Sequence, residues 1–275
     1  MKIDNFLRKF IPAVPLLSRT PVGFFLDLPD IFIRKSRREW NRLPPASLRM
    51  RIGVGNRLLF NHQAFLYGGR SLVEELSGRG YLCPTSDVLE LGCGCGRNAI
   101  ALIDFLDEGG SYIGQDVDSG MISWCKSNLS DDRTRFFHAD LYSGVYNPEG
   151  RKISDYKFPA SDHSIDLITA VSVFSHLLYN DLVHYLREAS RVLRVGGNMH
   201  MTLFVMDYIR PRLGDRWHFS HKKGPAYVES PRYPEAAVAY DESTIEAVLE
   251  QNDLQLIEIY NQDVHQQTLI VSNQG

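Results

Sequence analysis

Asp87-Val88-Leu89-Glu90-Leu91-Gly92-Cys93-Gly94-Cys95-Gly96-Arg97-Asn98 is the stretch that decides the fold of this chain. An apolar strand over 88–91 runs into three alternating glycines, and a helix-compatible run over 98–106 follows. Strand, glycine turn and helix together bring backbone close to a nucleotide-like ligand. Glycine tolerates the positive φ of such a turn and has no Cβ to block approach. Two acids refine the reading. Glu90 sits at the strand end, just before the glycines, and Asp116 closes the next apolar run, where a carboxylate can accept both hydroxyls of a ribose. The competing reading, an NAD-type dinucleotide site, expects GxGxxG, and its third glycine would fall on Arg97.

The 275 residues, 44% of them hydrophobic, suit one α/β domain with an extension. We expect an extension over 1–55 and a main domain over 56–275. No run of 18 or more apolar residues occurs, so no transmembrane helix is expected. Asp4, Arg8, Lys9, Pro12 and Pro15 break up the N-terminal apolar patch, which argues against a signal peptide. Of the four cysteines, Cys93 and Cys95 lie in the glycine loop, where a disulfide would distort a ligand site. A reduced, cytoplasmic protein fits. A lone C-x-C without a second pair argues against a metal centre, and none is expected.

The net charge of −3 hides an asymmetry. Residues 1–51 hold eleven Lys/Arg against four Asp/Glu, a net +7, and the remainder carries −10. A basic arm on an acidic body can touch an anionic surface, although a solvated helix face around Arg34, Lys35, Arg37 and Arg38 is the plainer reading. The acidic body and the lack of a basic-aromatic stripe argue against nucleic acid.

Prolines at 12, 15, 21, 29, 44 and 45 predict short helical pieces in the extension. Helices are expected over 58–67 and 70–76, the second stopped near Gly78 and Gly80. From Asp87 a βαβ rhythm predicts a parallel sheet. Its strands fall over 88–91, 112–115, 135–138, 165–171 and 199–205. A helix over 181–193 should end at Gly196-Gly197, and Ser243 with Glu246 reads as a capping box. Two final strands fall over 254–260 and 267–271, seven in all. Long insertions over 142–160 and 207–240 read as structureless loops at the ligand end.

The strand-end acids with GxGxG resemble the S-adenosylmethionine (SAM) site of class I methyltransferases. Further stretches are similar to a bacterial group of these enzymes associated with cell-surface glycan assembly. They are Leu43-Pro44-Pro45, Leu48-Arg49-Met50-Arg51, Gly69-Arg70, the loop 90–97, Ile122-Ser123-Trp124-Cys125, Ser172 to His176, Arg191 to Gly197 and Ala239-Tyr240-Asp241-Glu242. The resemblance implies a Rossmann-like seven-stranded sheet, its last strand antiparallel, with an N-terminal helical extension. It also implies SAM held by Glu90, Gly92, Cys93, Gly94, Gly96, Asp116, Val117, Asp140, Leu141, Val171 and Arg70. Within that set Asp116 takes the ribose and Asp140 the adenine amino group. The group's GSWCGR segment after the sixth strand has no counterpart here, because Tyr260-Asn261-Gln262-Asp263 runs straight towards the last strand.

The residues after the fourth strand should orient an acceptor, with His176 either a general base or a structural histidine opening the next helix. The aromatic and polar content of the insertions suits a sugar-like hydroxyl acceptor. The expected function is SAM-dependent O-methylation of a saccharide or other small hydroxyl compound. The alternative is a non-catalytic SAM-binding protein. Residues 43–70 are expected to cover the site as a lid hinged at Gly53, Gly55, Gly68 and Gly69, with Arg70 or Tyr67 near the cofactor's amino-acid end. The alternative is a decoration of the sheet edge. Phe6, Leu7, Phe10 and Ile11 beside Arg8 and Lys9 suggest weak peripheral contact with the inner membrane surface.

Overall fold

The computed structural model describes residues 21–52, 61–142, 147, 149–214, 216–260 and 266–275, and only the backbone of residues 21–24. The extension holds helices α1 (Pro21–Lys35) and α2 (Ala46–Arg49), and α3 (His62–Gly78) leads into the sheet. The alternating half runs β1 (Asp87–Leu91), α4 (Arg97–Phe105), β2 (Ser111–Asp116), α5 (Ser119–Leu129), β3 (Thr134–His138), β4 (Ile165–Ala170), α6 (Tyr179–Val192) and β5 (Leu193–Val205). After β5 come α7 (Met206–Ile209), β6 (His221–Lys223), β7 (Ala226–Val228), β8 (Val238–Tyr240), α8 (Glu242–Glu250), β9 (Leu254–Tyr260) and β10 (Gln267–Asn273).

Strands β3, β2, β1, β4 and β5 lie side by side and parallel. β10 then runs antiparallel to β5, and β9 antiparallel to β10. The strand order reverses between β1 and β4, so the crevice beyond their carboxyl ends is the ligand position of an open α/β sheet. Alternate strand residues face opposite sides. Leu89, Leu91 and Ile168 accordingly join an apolar cluster with Leu186 and Leu249, while Val88 and Leu167 join one with Leu72 and Leu102. Helices cover both faces, which is why β4 buries Ile165, Leu167, Ile168 and Ala170 on its two sides.

Several local expectations are corrected. The two helices expected around Gly68 are one helix, α3, through Gly68 and Gly69 (residues 58–60 lie outside the described ones). Both glycines are helical rather than hinges, and Gly69 is a packing position. A Cβ on Gly69 would lie 2.3 Å from the Arg97 carbonyl oxygen, so only glycine lets α3 approach the start of α4 this closely. Gly53 and Gly55 lie outside the described residues. Gly196-Gly197 does not end α6. The chain turns extended at Leu193, and both glycines sit inside the 13-residue β5. Hydrophobic periodicity cannot separate a helix from an immediately abutting strand. Ser243 caps nothing, because α8 starts at Glu242, whose N–H donates to Asp207 Oδ2 at 2.8 Å.

The described residues of the segment over 207–240 are structured, and among the described residues the chain holds ten strands rather than the expected seven. β6, β7 and β8 form a small sheet joined to the end of β5 through Phe204 and Val205. It closes its own apolar cluster of Phe204, Met206, Ile209, Phe219, Ala237 and Ala239. Three-residue strands are too short for period-two reading, so sequence shows only their turn residues.

The extension packs through a buried polar knot. Arg49 is fully buried and bonds Asp30 Oδ1 at 2.7 Å and Asn61 Oδ1 at 2.9 Å. His62 shares Asp30 Oδ1 at 2.8 Å. These contacts tie α1, α2 and α3 together, and a buried charge left without them would be strongly destabilising.

Candidate functional site

The glycine loop leaves β1 with Gly92, Gly94 and Gly96 at φ 71°, 55° and 85°. These left-handed values explain the alternate glycines. The loop is pinned to the end of β2. The N–H groups of Gly92 and Cys93 both donate to the Gln115 carbonyl, at 2.8 and 3.0 Å. The Gly94 N–H donates to Asp116 Oδ2 at 2.8 Å, and the Asp118 N–H to Oδ1 at 2.8 Å. The Val117 N–H is a third backbone donor to this carboxylate, which keeps acceptor capacity for a ligand hydroxyl. Burial pushes the Asp116 carboxyl up to about 6, against the pull of its backbone N–H donors. Asp118, and not Asp116, caps α5, accepting from the Gly120 and Met121 N–H groups at 3.0 and 3.1 Å.

Glu90 lies beneath the loop. Its oxygens accept from Asn98 Nδ2 at 2.8 Å and the Tyr112 hydroxyl at 2.5 Å. It is buried, and burial raises its pKa despite these donors. The carboxylate therefore braces the loop from inside the core. Cys93 and Cys95 are also buried, and burial holds both thiols well above their usual pKa. Protonated thiols are poor metal ligands. Among the described residues no group of three or more His, Cys, Asp and Glu is arranged to hold a metal ion.

The remaining expected residues fall into two sets. Val117 and Val171 are partly buried beside the two apolar clusters. Asp140 is exposed at the end of β3 and accepts from Asn147 Nδ2 at 3.1 Å, while its neighbour Leu141 is buried. Arg70 stands apart on the exposed side of α3, 3.8 Å from Glu39, and Tyr67 is 68% exposed. Ile52 Cγ2 lies 3.0 Å from where a Gly94 Cβ would stand, and Arg51 pairs with Asp118 at 3.3 Å.

Across the crevice, Val173 closes on Gly92, its Cγ2 2.5 Å from where a Cβ would stand. His176 ends the helical turn over Phe174–His176 that follows. Its Nδ1 bonds the Glu235 carbonyl at 2.8 Å, so residues of the 207–240 segment orient it. Burial lowers its pKa, against the Glu235 and Ala236 carbonyls. A neutral ring that donates from Nδ1 leaves Nε2 as a base.

Sequence reasoning missed a polar network beside this turn. Ser172 adopts φ 58°, and its hydroxyl donates to Gln266 Oε1 at 3.0 Å. Gln266 Oε1 also accepts from Thr202 Oγ1 at 3.0 Å, and Thr202 Oγ1 accepts the Ser172 N–H at 2.8 Å. Gln266 is 94 residues from Ser172 and belongs to no motif, so nothing local announces it. Two grooves of about 490 and 360 Å³ share Arg194 and open at the amino ends of the strands, away from all these residues. Ligand chemistry in such sheets sits at the other end.

The sheet order, the glycine loop and the acid ending β2 define the class I, Rossmann-like methyltransferase fold. Residues 88–197 match a family described as a methyltransferase domain. Solved structures agree on the fold. A SAM-dependent methyltransferase from Methanosarcina mazei is 14% identical, with TM-score 0.51 over 72% of this chain and 96% of its own. One from Clostridium acetobutylicum is 17% identical, with TM-score 0.51 over 76% and 92%. One from Mesorhizobium loti is 13% identical, with TM-score 0.51 over 72% and 97%.

Proposed function

We propose that this chain is a SAM-dependent methyltransferase that O-methylates a saccharide or another small hydroxyl-bearing acceptor. The cofactor is S-adenosyl-L-methionine. The observation that carries the reading is the coupling of the glycine loop to Asp116 in a chain whose residues 88–197 match a methyltransferase domain. The site suits the cofactor. A positive-φ backbone loop offers no Cβ in its path, and Asp116 keeps acceptor capacity for a ribose hydroxyl beside its backbone donors. Asp140 and Val117 serve the adenine end, Val171 the wall, and Glu90 and Cys93 the underside of the loop. Bound there, SAM supplies an electrophilic methyl group.

The chain's own residues supply positioning and a base. An alcohol is a poor nucleophile at neutral pH. His176, whose Nδ1 engages the Glu235 carbonyl, would take the acceptor hydroxyl's proton at Nε2 as the methyl group leaves the sulfonium sulfur for that oxygen and S-adenosylhomocysteine is released. Ser172, Thr202 and Gln266 present hydroxyl and amide groups beside that turn. Phe219 is buried in the core of the neighbouring segment, and the partly exposed Trp217 and Tyr227 give that segment aromatic surface for a sugar to stack on. Residues 43–70 cover the mouth of the site, with Arg70 or Tyr67 near the cofactor's amino-acid end, and within this cover Arg51 pairs with Asp118. The catalytic unit spans 56–275. Cysteines in the loop favour a reducing, cytoplasmic setting.

Titration calorimetry with S-adenosylhomocysteine tests cofactor choice. Binding in preference to NAD is expected, and Asp116→Ala should weaken it by about 1.5–3 kcal/mol. Tighter binding of NAD overturns the reading. Methyl-labelled SAM incubated with glycan and lipid extracts tests the activity. Labelled product lost in His176→Ala supports the enzyme, whereas cofactor binding without product marks a non-catalytic SAM-binding protein.

A further inference from the structure

Helix α1 is turned inside out. On a helix of period 3.6, Asp27, Asp30 and Arg34 share one side, and Phe25, Leu28, Phe32 and Lys35 share the opposite one. The charged side faces the protein. Asp27 accepts from the Ser47 N–H at 2.8 Å and from its hydroxyl at 2.7 Å. Asp30 is buried and accepts from the Ala46 N–H, Arg34, Arg49 and His62. The apolar side faces out: Phe25 is 68% exposed, Leu28 43% and Phe32 76%. Ordinary surface helices bury the apolar stripe and expose the charged one. The carboxylate contacts hold α1 in this orientation, so it cannot roll over to hide its phenylalanines.

Charge says what the exposed stripe meets. Lys35 continues the stripe, and Arg37 and Arg38 follow at once; all three are exposed. Residues 21–51 hold seven Lys/Arg against three Asp/Glu, a net +4, and residues 52–275 carry −10, so the apolar stripe lies in a basic stretch of a chain that is otherwise acidic. Two large aromatic side chains beside a cluster of cations is the composition that seats a helix at a bilayer interface, with rings in the acyl boundary and cations among anionic headgroups. An acidic protein surface or a second copy of this chain matches the charge or the apolar stripe, but not both.

We propose that the exposed face of α1, Phe25, Leu28 and Phe32 with Lys35 and Arg38, docks the protein on an anionic lipid bilayer. The docking residues thus differ from the Phe6–Ile11 segment that the sequence suggests, which lies outside the described residues. The proposal deepens the peripheral-membrane expectation and is independent of the methyl-transfer reading, because α1 contributes no residue to the glycine loop.

The full chain is sedimented with vesicles of equimolar phosphatidylcholine and phosphatidylglycerol, and with phosphatidylcholine alone. The wild type is expected to pellet with the anionic vesicles and to be released by high salt. Phe25→Asp with Phe32→Asp should reduce the partition coefficient by about tenfold or more. Lys35→Glu with Arg38→Glu should reduce binding to the anionic vesicles to the level of the neutral ones. All four positions are exposed, and unchanged thermal unfolding and homocysteine-product binding show that the variants are folded. No binding of the wild type, or equal binding of wild type and the phenylalanine variant, overturns the proposal. So does a vesicle-independent dimer, seen by sedimentation equilibrium, that the phenylalanine variant dissolves, since the stripe would then belong to a second copy.

Discussion

The Gly94 N–H and Asp116 Oδ2 lie 2.8 Å apart, and that one bond joins the turn after β1 to the acid ending β2. The pair sets the shape of the crevice and the ionisation of its carboxylate together. A backbone donor aimed at Asp116 favours the charged form, while burial disfavours it and wins, giving a pKa of about 6.

Cofactor affinity should therefore depend on pH. Above about 6 the carboxylate is ionised and accepts hydroxyl protons; as pH falls through that value it takes up its own proton and loses acceptor capacity. S-adenosylhomocysteine binding should weaken below about pH 6, and Asp116→Asn should bind more weakly and show no inflection there. A wild-type affinity flat from pH 8 to about 5 would contradict the assignment.

Gly68 and Gly69 should respond oppositely to alanine. A Cβ on Gly69 meets the Arg97 backbone oxygen at 2.3 Å, so Gly69→Ala should cost about 1–3 kcal/mol. A Cβ on Gly68 meets only the flexible Arg97 side chain, at 3.4 Å, so Gly68→Ala should gain up to about 1 kcal/mol of helix propensity. Urea denaturation of the two variants measures both.

His200 should make the protein acid-sensitive. It is buried on β5 beside Thr169, and burial lowers its pKa to about 4. The unfolded chain protonates near 6.5, so the folded state loses stability as pH drops from 6.5 towards 4. The loss is about 3 kcal/mol at the lower end. His200→Gln should flatten the fall of Tm across that window.

Gln266→Leu should separate chemistry from cofactor binding. It removes the acceptor shared by Ser172 and Thr202 while leaving the Gly94–Asp116 bond untouched. Methyl-transfer kcat should drop about tenfold with S-adenosylhomocysteine affinity unchanged, an effect of roughly 1.4 kcal/mol on the reacting geometry. Equal losses in both would show that Gln266 only supports the fold.

Much of the sheet was legible because its signals are local. Val88 to Leu91, the three glycines and the helix after them lie within twenty residues, and Glu90 and Asp116 stand at the carboxyl ends of their strands. Boundaries failed where two elements abut, as at Leu193, since a run of apolar residues looks the same at the end of a helix and at the start of a strand. The short strands after β5 failed because three residues carry no period.

The chain alone determined the parallel sheet, the turn that needs left-handed glycines, and the acid beyond the next strand. Each follows from local backbone geometry and alternation. The tertiary structure decided the rest. It turned Glu90 into a buried brace and brought Ile52 onto Gly94. It joined Gln266 to Ser172 and faced the carboxylates of α1 inwards with its phenylalanines out. Those outcomes depend on which distant groups can satisfy a buried charge or fill the space over a missing Cβ. Partners separated by tens of residues meet only when the whole chain has packed.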